Sequence, residues 1–493
     1  MNNQLLYSFG YDNDRLRIIQ SLLLMSYWQE IHDSPTNHWY WAELGCVNAR
    51  SIGLFQDPTS SGMPDAKKGL WKRIGWSCML RDRVLHLGVR MSPKINPAEF
   101  HLPLLEESDF DILHFPTGVL EFLNGCDMLA DPLLQSQLAR ICIEKTKLCV
   151  ILWQVFNSLY VDSNPKLGET EENTSILLPK THGVSPGGVS EADNALQAWL
   201  REYPRHVQAS KMDQPSLEYK EKIAAVHSGL VLMFYHAIVC AFCGPQLRVV
   251  IPAWMQADKQ QAKQRLRHSA LIITRQLEEI HSHRLLEYLP SSSVTFLLTA
   301  SANHLVEYKT SKGDEKQWYL RRFQDCMCYL KALETVHVYA KYTSIFLHSA
   351  AAKAGVPALS DRGFPDSGGT ENAMGGPHQI NSAGPNGADE LGGWSLAHMP
   401  HQLVEGTTKN AGSVERPPGP FETTLDLAAI IDAELLYPAT AIDNTPSVDS
   451  SSFIPTQYGE LPYRYDIAET MLGQALWSGW VDEIDQRSSG FLG

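Results

Sequence analysis

Residues 70–90 read LWKRIGWSCMLRDRVLHLGVR, bulky apolar side chains and tryptophans stitched together with Arg, Lys and a single Asp. At 100° per residue, Leu70, Ile74, Ser77, Cys78, Val84 and Leu85 make an apolar stripe that Trp71 and Met79 broaden. Arg81, Asp82 and Arg83 gather towards the C-terminal half. A carboxylate flanked by two guanidiniums suits a paired, partly buried network, because removing one partner of a buried ion pair costs about 3–5 kcal/mol. No nucleophile stands beside a base, and the strip is too short and too apolar to track a phosphate backbone. It therefore reads as a structural helix, from about Gly69 to Leu87, whose charges satisfy one another.

The same period recurs on both sides. RLRIIQSLLLMSYWQEI (residues 15–31) is helical until SPTNHW breaks it, and a second helix fits Trp39 to Ile52, stopped by Gly53. After residue 90 a Pro-punctuated run, MSPKINPAEFHLPLLEESDFD, is extended. Further helices fit Pro132 to Tyr160, Glu191 to Glu202, Lys220 to Cys243, Ala257 to His283, Val294 to Lys309 and Trp318 to Ala352, with residues 161–190 a polar surface loop. No strand-like alternation of useful length occurs. The fold class is all-α, an irregular multi-helix domain over residues 1–353.

From residue 354 the composition changes. Residues 354–420 are Gly/Ser/Asn/Pro-rich and predict a disordered linker. Residues 421–493 are acidic, with short apolar segments at 425–437 and 465–485. The chain of 493 residues carries a net charge of −14, and residues 351–493 hold 19 Asp/Glu against 6 Lys/Arg, so they account for almost all of it. Neither part has the surplus of clustered Lys and Arg that neutralising phosphates demands.

Nine cysteines, an odd number set mostly in apolar helical runs, predict reduced buried thiols rather than a disulfide framework. The opening residues MNNQLLYSFGYDNDR do not read as a signal peptide. AAVHSGLVLMFYHAIVCAFC (Ala224 to Cys243) is long enough for a bilayer, but two imidazoles and the following Gly244-Pro245 make it a buried core helix, so no membrane partner is expected.

Phosphate-loop, dinucleotide, zincin and hydrolase-elbow motifs are missing. Cys240 and Cys243 form a lone CxxC with no second pair to complete a four-ligand zinc site. Cys326 and Cys328 diverge by about 200° on a helix. His227 and His236 fall near one face and read as buried imidazoles hydrogen-bonded to neighbours. No catalytic, metal-binding or DNA-binding residue is nominated.

In order and spacing, IIQSLLLMSYWQE, NHWYWAELGCVNARSIGLFQDP, LWKRIGWSCMLRDRVLHLGVRMSPKI and FHLPLLEESDF resemble the regulatory "middle homology" domain of fungal-specific transcription factors of the zinc binuclear-cluster class. They look most like the group that includes cutinase and fatty-acid-utilisation regulators. Trp39, Trp41, Gly53, Trp71, Trp76, Asp82, Arg83 and Arg90 are the positions that carry the resemblance. LQAWLREYP, VHSGLVLMFYHAIVCAFCGP and LRHSALIITRQLEEI continue it more loosely to about residue 350.

The resemblance implies an all-helical regulatory body, a nuclear location, and homo- or heterodimers with a related transcription factor. The family's DNA reader is an N-terminal six-cysteine cluster holding two zinc ions, whereas the first cysteine here, Cys46, already lies inside the regulatory domain. Zinc is thus expected only with a missing N-terminal module, and DNA contact only indirectly or through that module. Either Met1 is an internal methionine of a longer frame, or the chain is a short form working through partners.

The function expected is transcriptional regulation, in control of a metabolic or secondary-metabolite pathway. The acidic tail would meet a coactivator through Leu472, Leu476, Trp477 and Trp480. The alternatives are a partner-dependent modulator or scaffold without DNA binding, or an enzyme of a biosynthetic cluster, which would require His227 and His236 to converge with a carboxylate in a deep pocket.

Overall fold

The computed structural model describes residues 14–27, 38–89, 92–114, 131–163, 176–203, 218–247 and 259–356. Arg90, linker residues 357–420, the acidic tail and its four anchors Leu472, Leu476, Trp477 and Trp480 lie outside the described residues, while Ala354 and Val356, expected to begin the linker, are buried in the core. Ten α-helices appear among those described: α1 Arg15–Met25, α2 His38–Ser51, α3 Asp65–Val89, α4 Pro132–Leu159, α5 Pro186–Glu202, α6 Tyr219–Cys243, α7 Lys259–Ser282, α8 Ser292–Thr310, α9 Gly313–Leu333 and α10 Val338–Lys353. The all-α class holds.

Local chemistry sets several boundaries. The Asp14 side chain accepts the Leu16 and Arg17 amides at the head of α1, and Asp131 accepts that of Leu133 ahead of Pro132 in α4. Gly53 adopts φ +70° after α2, a conformation other residues seldom tolerate, and lets the Leu54 amide return to the Ala49 carbonyl at 2.9 Å. Beyond α3 the chain runs extended through residues 92–114, interrupted by single 3-10 turns at Pro97–Glu99 and Glu107–Asp109.

Helix α6 is the central core helix, packed against α4, α7 and α8. By length and composition alone the stretch Lys220–Leu247 could cross a membrane; 83% of its most apolar window is buried inside the body. Leu277 of α7, Leu297 of α8 and Leu330 of α9 are completely covered in the same core, each side chain contributing about 1.5–3 kcal/mol of burial.

Two features depart from the sequence reading. The polar stretch 161–190 contains an antiparallel pair, β1 Tyr160–Ser163 with β2 Ile176–Pro179, in the register Tyr160 to Pro179 and Ser163 to Ile176. The same stretch holds the first turn of α5, where Ser185 caps and Pro186 opens the helix. The single helix expected over Trp318 to Ala352 is two. Adjacent β-branched Thr335 and Val336 weaken helix continuation there, and the His337 amide turns back to the Leu333 carbonyl at 2.8 Å. The His337 side chain donates to the Leu289 carbonyl at 2.7 Å, fixing the break.

Candidate functional site

Polar chemistry inside the body concentrates on α3. Asp82 is 2% exposed and Arg83 fully buried. They form an ion pair, and both also grip the backbone of the segment that follows the helix. The Asp82 carboxylate accepts the amide of Lys94 at 2.9 Å and that of Ile95 at 3.4 Å, while Arg83 Nη2 donates to the Ile95 carbonyl at 2.9 Å. The pair is therefore a clamp that reads backbone rather than side chain. The ring centroid of Trp153 in α4 lies 5.2 Å from the guanidinium carbon, a cation–π contact.

His86, one turn along α3, completes the node. Its Nδ1 donates to the Asp82 carbonyl and lies 3.2 Å from the Asp82 carboxylate. Burial lowers the His86 pKa, with the Asp82 charge opposing, so the ring is neutral and Nε2 carries a lone pair that meets no partner. Trp39 of α2 packs edge-on at 5.2 Å. A small cleft beside it is lined by Trp39, Ala42, Glu43, Cys46, Asp82, His86 and Lys94, with Glu43 and Lys94 paired at 3.4 Å. The Cys46 thiol there is made less acidic by its hydrogen bond with Cys78 and by burial, so it is a poor nucleophile. The node holds elements together; it offers no base poised beside a nucleophile.

The two guanidiniums expected around Asp82 divide their work. Only Arg83 pairs with it. Consecutive helix residues point about 100° apart, and Arg81 turns instead to the end of α1, where Nε donates to Ser26 Oγ at 2.9 Å and Nη2 to the Ser26 carbonyl, beneath the Tyr27 ring at 4.0 Å. Ser77, expected on the apolar stripe, is exposed and bonds back to the Arg73 carbonyl at 2.8 Å.

The remaining sequence positions sit around the same helix without converging on one point. Trp41 is buried with Ile18 and Leu22 where α1 meets α2. Trp76 donates its indole N–H to the Pro103 carbonyl at 2.8 Å and meets Phe100 edge-on. Trp71 packs half-buried on the core, and Gly53 is the turn after α2.

Sequence reasoning missed the anchors of the extended run. Arg50 makes a two-pronged contact with Glu99 at 2.7 and 2.9 Å, Lys72 pairs with Asp109 at 2.5 Å, and Arg73 with Asp111 at 2.7 Å. The available signal was the row of acids at 99, 109 and 111, which meets Arg50 of α2 and Lys72 and Arg73 of α3.

His236 shares a hydrogen bond with Ser269 Oγ at 3.0 Å, as expected of a buried imidazole, and His227 is half-buried with its pKa lowered by burial to about 4. No carboxylate joins them among their contacts. Cys240 and Cys243 are both buried core. Among the described residues no group of three His, Cys, Asp or Glu side chains could hold a metal ion. The described cysteines do not gather into a zinc cluster.

Residues 2–201 match the model of the fungal specific transcription factor domain. The chain is 33% identical over 360 residues to cutinase transcription factor 1 beta of Fusarium vanettenii, covering 72% of this chain and 41% of that one. It is 28% identical to a transcription factor of Fusarium pseudograminearum (71% and 40% covered) and 26% identical to cutinase transcription factor 1 alpha of F. vanettenii (69% and 34%). The chain thus spans about two fifths or less of the length of these relatives. No solved structure matches.

Proposed function

We propose, from the match of residues 2–201 to the model of the fungal specific transcription factor domain, that the chain is a transcriptional regulator whose helical body is the regulatory part. The observation that carries this reading is the match over residues 2–201 together with relatives named as transcription factors. It includes α3 and its clamp. Geometry supports a regulatory rather than a catalytic role. Asp82, Arg83 and His86 make mutual and backbone contacts that tie α3 to the 94–95 backbone, with Trp39 of α2 and Trp153 of α4 packed on them. Such a body transmits a binding event as a rigid element, since tightly packed interiors respond to local change by switching arrangement rather than by bending.

The regulated genes belong, on this reading, to a metabolic or secondary-metabolite pathway, and the chain works in the nucleus. It pairs with itself or with a related transcription factor, and the acidic segment 465–485 contacts a coactivator through its apolar residues. The test is a fusion of the full chain to a heterologous DNA-binding module upstream of a reporter. Output that differs from the module alone supports the reading; output equal to the module alone argues against it.

A further inference from the structure

Helix α4 carries a lysine where the pattern calls for an apolar residue. Lys145 stands about one turn from Ile141, Cys142, Leu148 and Cys149, on the stripe by which α4 meets the core, and it is half-buried. Other lysines of the body are paired: Lys147 with Glu144 at 2.8 Å, Lys72 with Asp109 at 2.5 Å and Lys220 with Asp131 at 2.6 Å. Among the described residues Lys145 meets no carboxylate and no hydrogen-bond acceptor. An ammonium drawn into a packed body without a counter-charge loses hydration and gains nothing in return, which favours the free amine.

The groups around it do not supply the missing charge. Burial makes the Cys142 and Cys149 thiols less acidic, Cys149 up to about 12, so neither is an anion at neutral pH. His227, on the facing helix α6, is held neutral by burial, with the Lys145 charge adding to the effect. Arg73 of α3, the other cation that Cys142 feels, is spent on Asp111 at 2.7 Å. Glu144, the adjacent acid in the chain, is held by Lys147. Burial acts on Lys145 too and lowers its pKa. The desolvation that keeps both thiols protonated therefore favours the unprotonated amine. Of these groups the amine is the nucleophile.

We propose that Lys145 is a covalent site for small aliphatic aldehydes, held between α4 and α6 as a Schiff base. The amine nitrogen adds to the carbonyl carbon, a proton passes from nitrogen to the new hydroxyl, and water leaves. In balance, R–NH2 and O=CH–R′ give R–N=CH–R′ and H2O, with nothing oxidised or reduced. An imine is a weaker base than the amine it replaces, so the product sits in this place without the unpaired cation. A small uncharged electrophile suits the position, because Ile141 and Leu148 beside it are fully covered core. The site goes beyond the transcriptional reading and does not rest on it.

Reductive labelling of the folded full chain with propanal and cyanoborohydride, which turns the imine into a stable secondary amine, tests it by peptide mass spectrometry. Lys147, two residues away and paired, is the internal reference. At pH 7 Lys145 should be labelled about fivefold or more faster than Lys147. The ratio should fall towards one in urea, where burial is lost. Cys142→Glu places a carboxylate one turn from the amine and should lower the ratio by a similar factor. Labelling of Lys145 no faster than that of Lys147 in the folded chain would overturn the proposal. So would an advantage that persists in urea, or one that a folded Cys142→Glu chain leaves unchanged. Should that variant fail to fold, the folded and urea ratios of the unaltered chain decide the matter. The reporter fusion and this labelling succeed or fail independently.

Discussion

The carboxylate of Asp82 accepts the backbone amide of Lys94 at 2.9 Å, so a charged residue inside α3 dictates the path of the chain twelve residues later. With the second amide at Ile95 and the Arg83 pair, it leaves a deeply buried anion fully partnered. Asp82→Ala should therefore destabilise the body by about 3–5 kcal/mol, because Arg83 would remain buried without its anion. Exchanging both residues for Leu and Met of similar bulk should cost clearly less than the two single substitutions summed. Urea unfolding of the three variants measures this.

Arg50 and Glu99 make an equally well-formed contact at the surface, with side chains 43% and 30% exposed. Water screens it. Arg50→Ala should cost about 1 kcal/mol or less, against several for Asp82, in the same unfolding assay.

Gly75 faces the extended run at close range: a Cβ placed there would fall 2.2 Å from Leu102 Cδ1 and 3.2 Å from the Leu54 carbonyl oxygen. The leucine end can swing away, but the carbonyl belongs to the backbone. Gly75→Ala should therefore lower stability by about 1–3 kcal/mol despite the better helix propensity of alanine, and a thermal melt would show a lower midpoint.

Acid should unfold the body through its buried histidines. Burial pushes His236 and His304 down to about 3, aided by His268 and Arg322 respectively, so both are neutral in the fold. Unfolded, they bind protons below their ordinary value near 6.5. The unfolded state thus holds more protons, and stability present above about pH 6.5 is lost as pH falls towards 3. At pH 5 each contributes a loss of about 2 kcal/mol. Urea midpoints between pH 7.5 and 5 should drop, and His304→Gln should flatten the profile.

How far the sequence led can be judged at α3. Its apolar spacing and paired charges predict a buried structural helix, and Asp82 with Arg83 is that. The turn of Arg81 to Ser26 was not legible, because the partner lies 55 residues away and offers only a hydroxyl and a carbonyl. The clamp on Lys94 and Ile95 escaped for a related reason: backbone amides have no sequence signature. The β1–β2 pair was hidden in a polar stretch because ILLP is too short to show alternation. Trp76 was picked out by its place in a motif, but nothing in the sequence indicates Pro103 as its acceptor.

The central claim, that this helical body regulates transcription, is tested most directly by comparing transcript levels in cells that make the chain and cells from which its gene is removed. The account predicts that a defined set of transcripts changes on removal. It also predicts that the same set changes, in the same direction, when the only chain supplied carries Asp82→Ala. Transcript levels that are unaltered in both would contradict it.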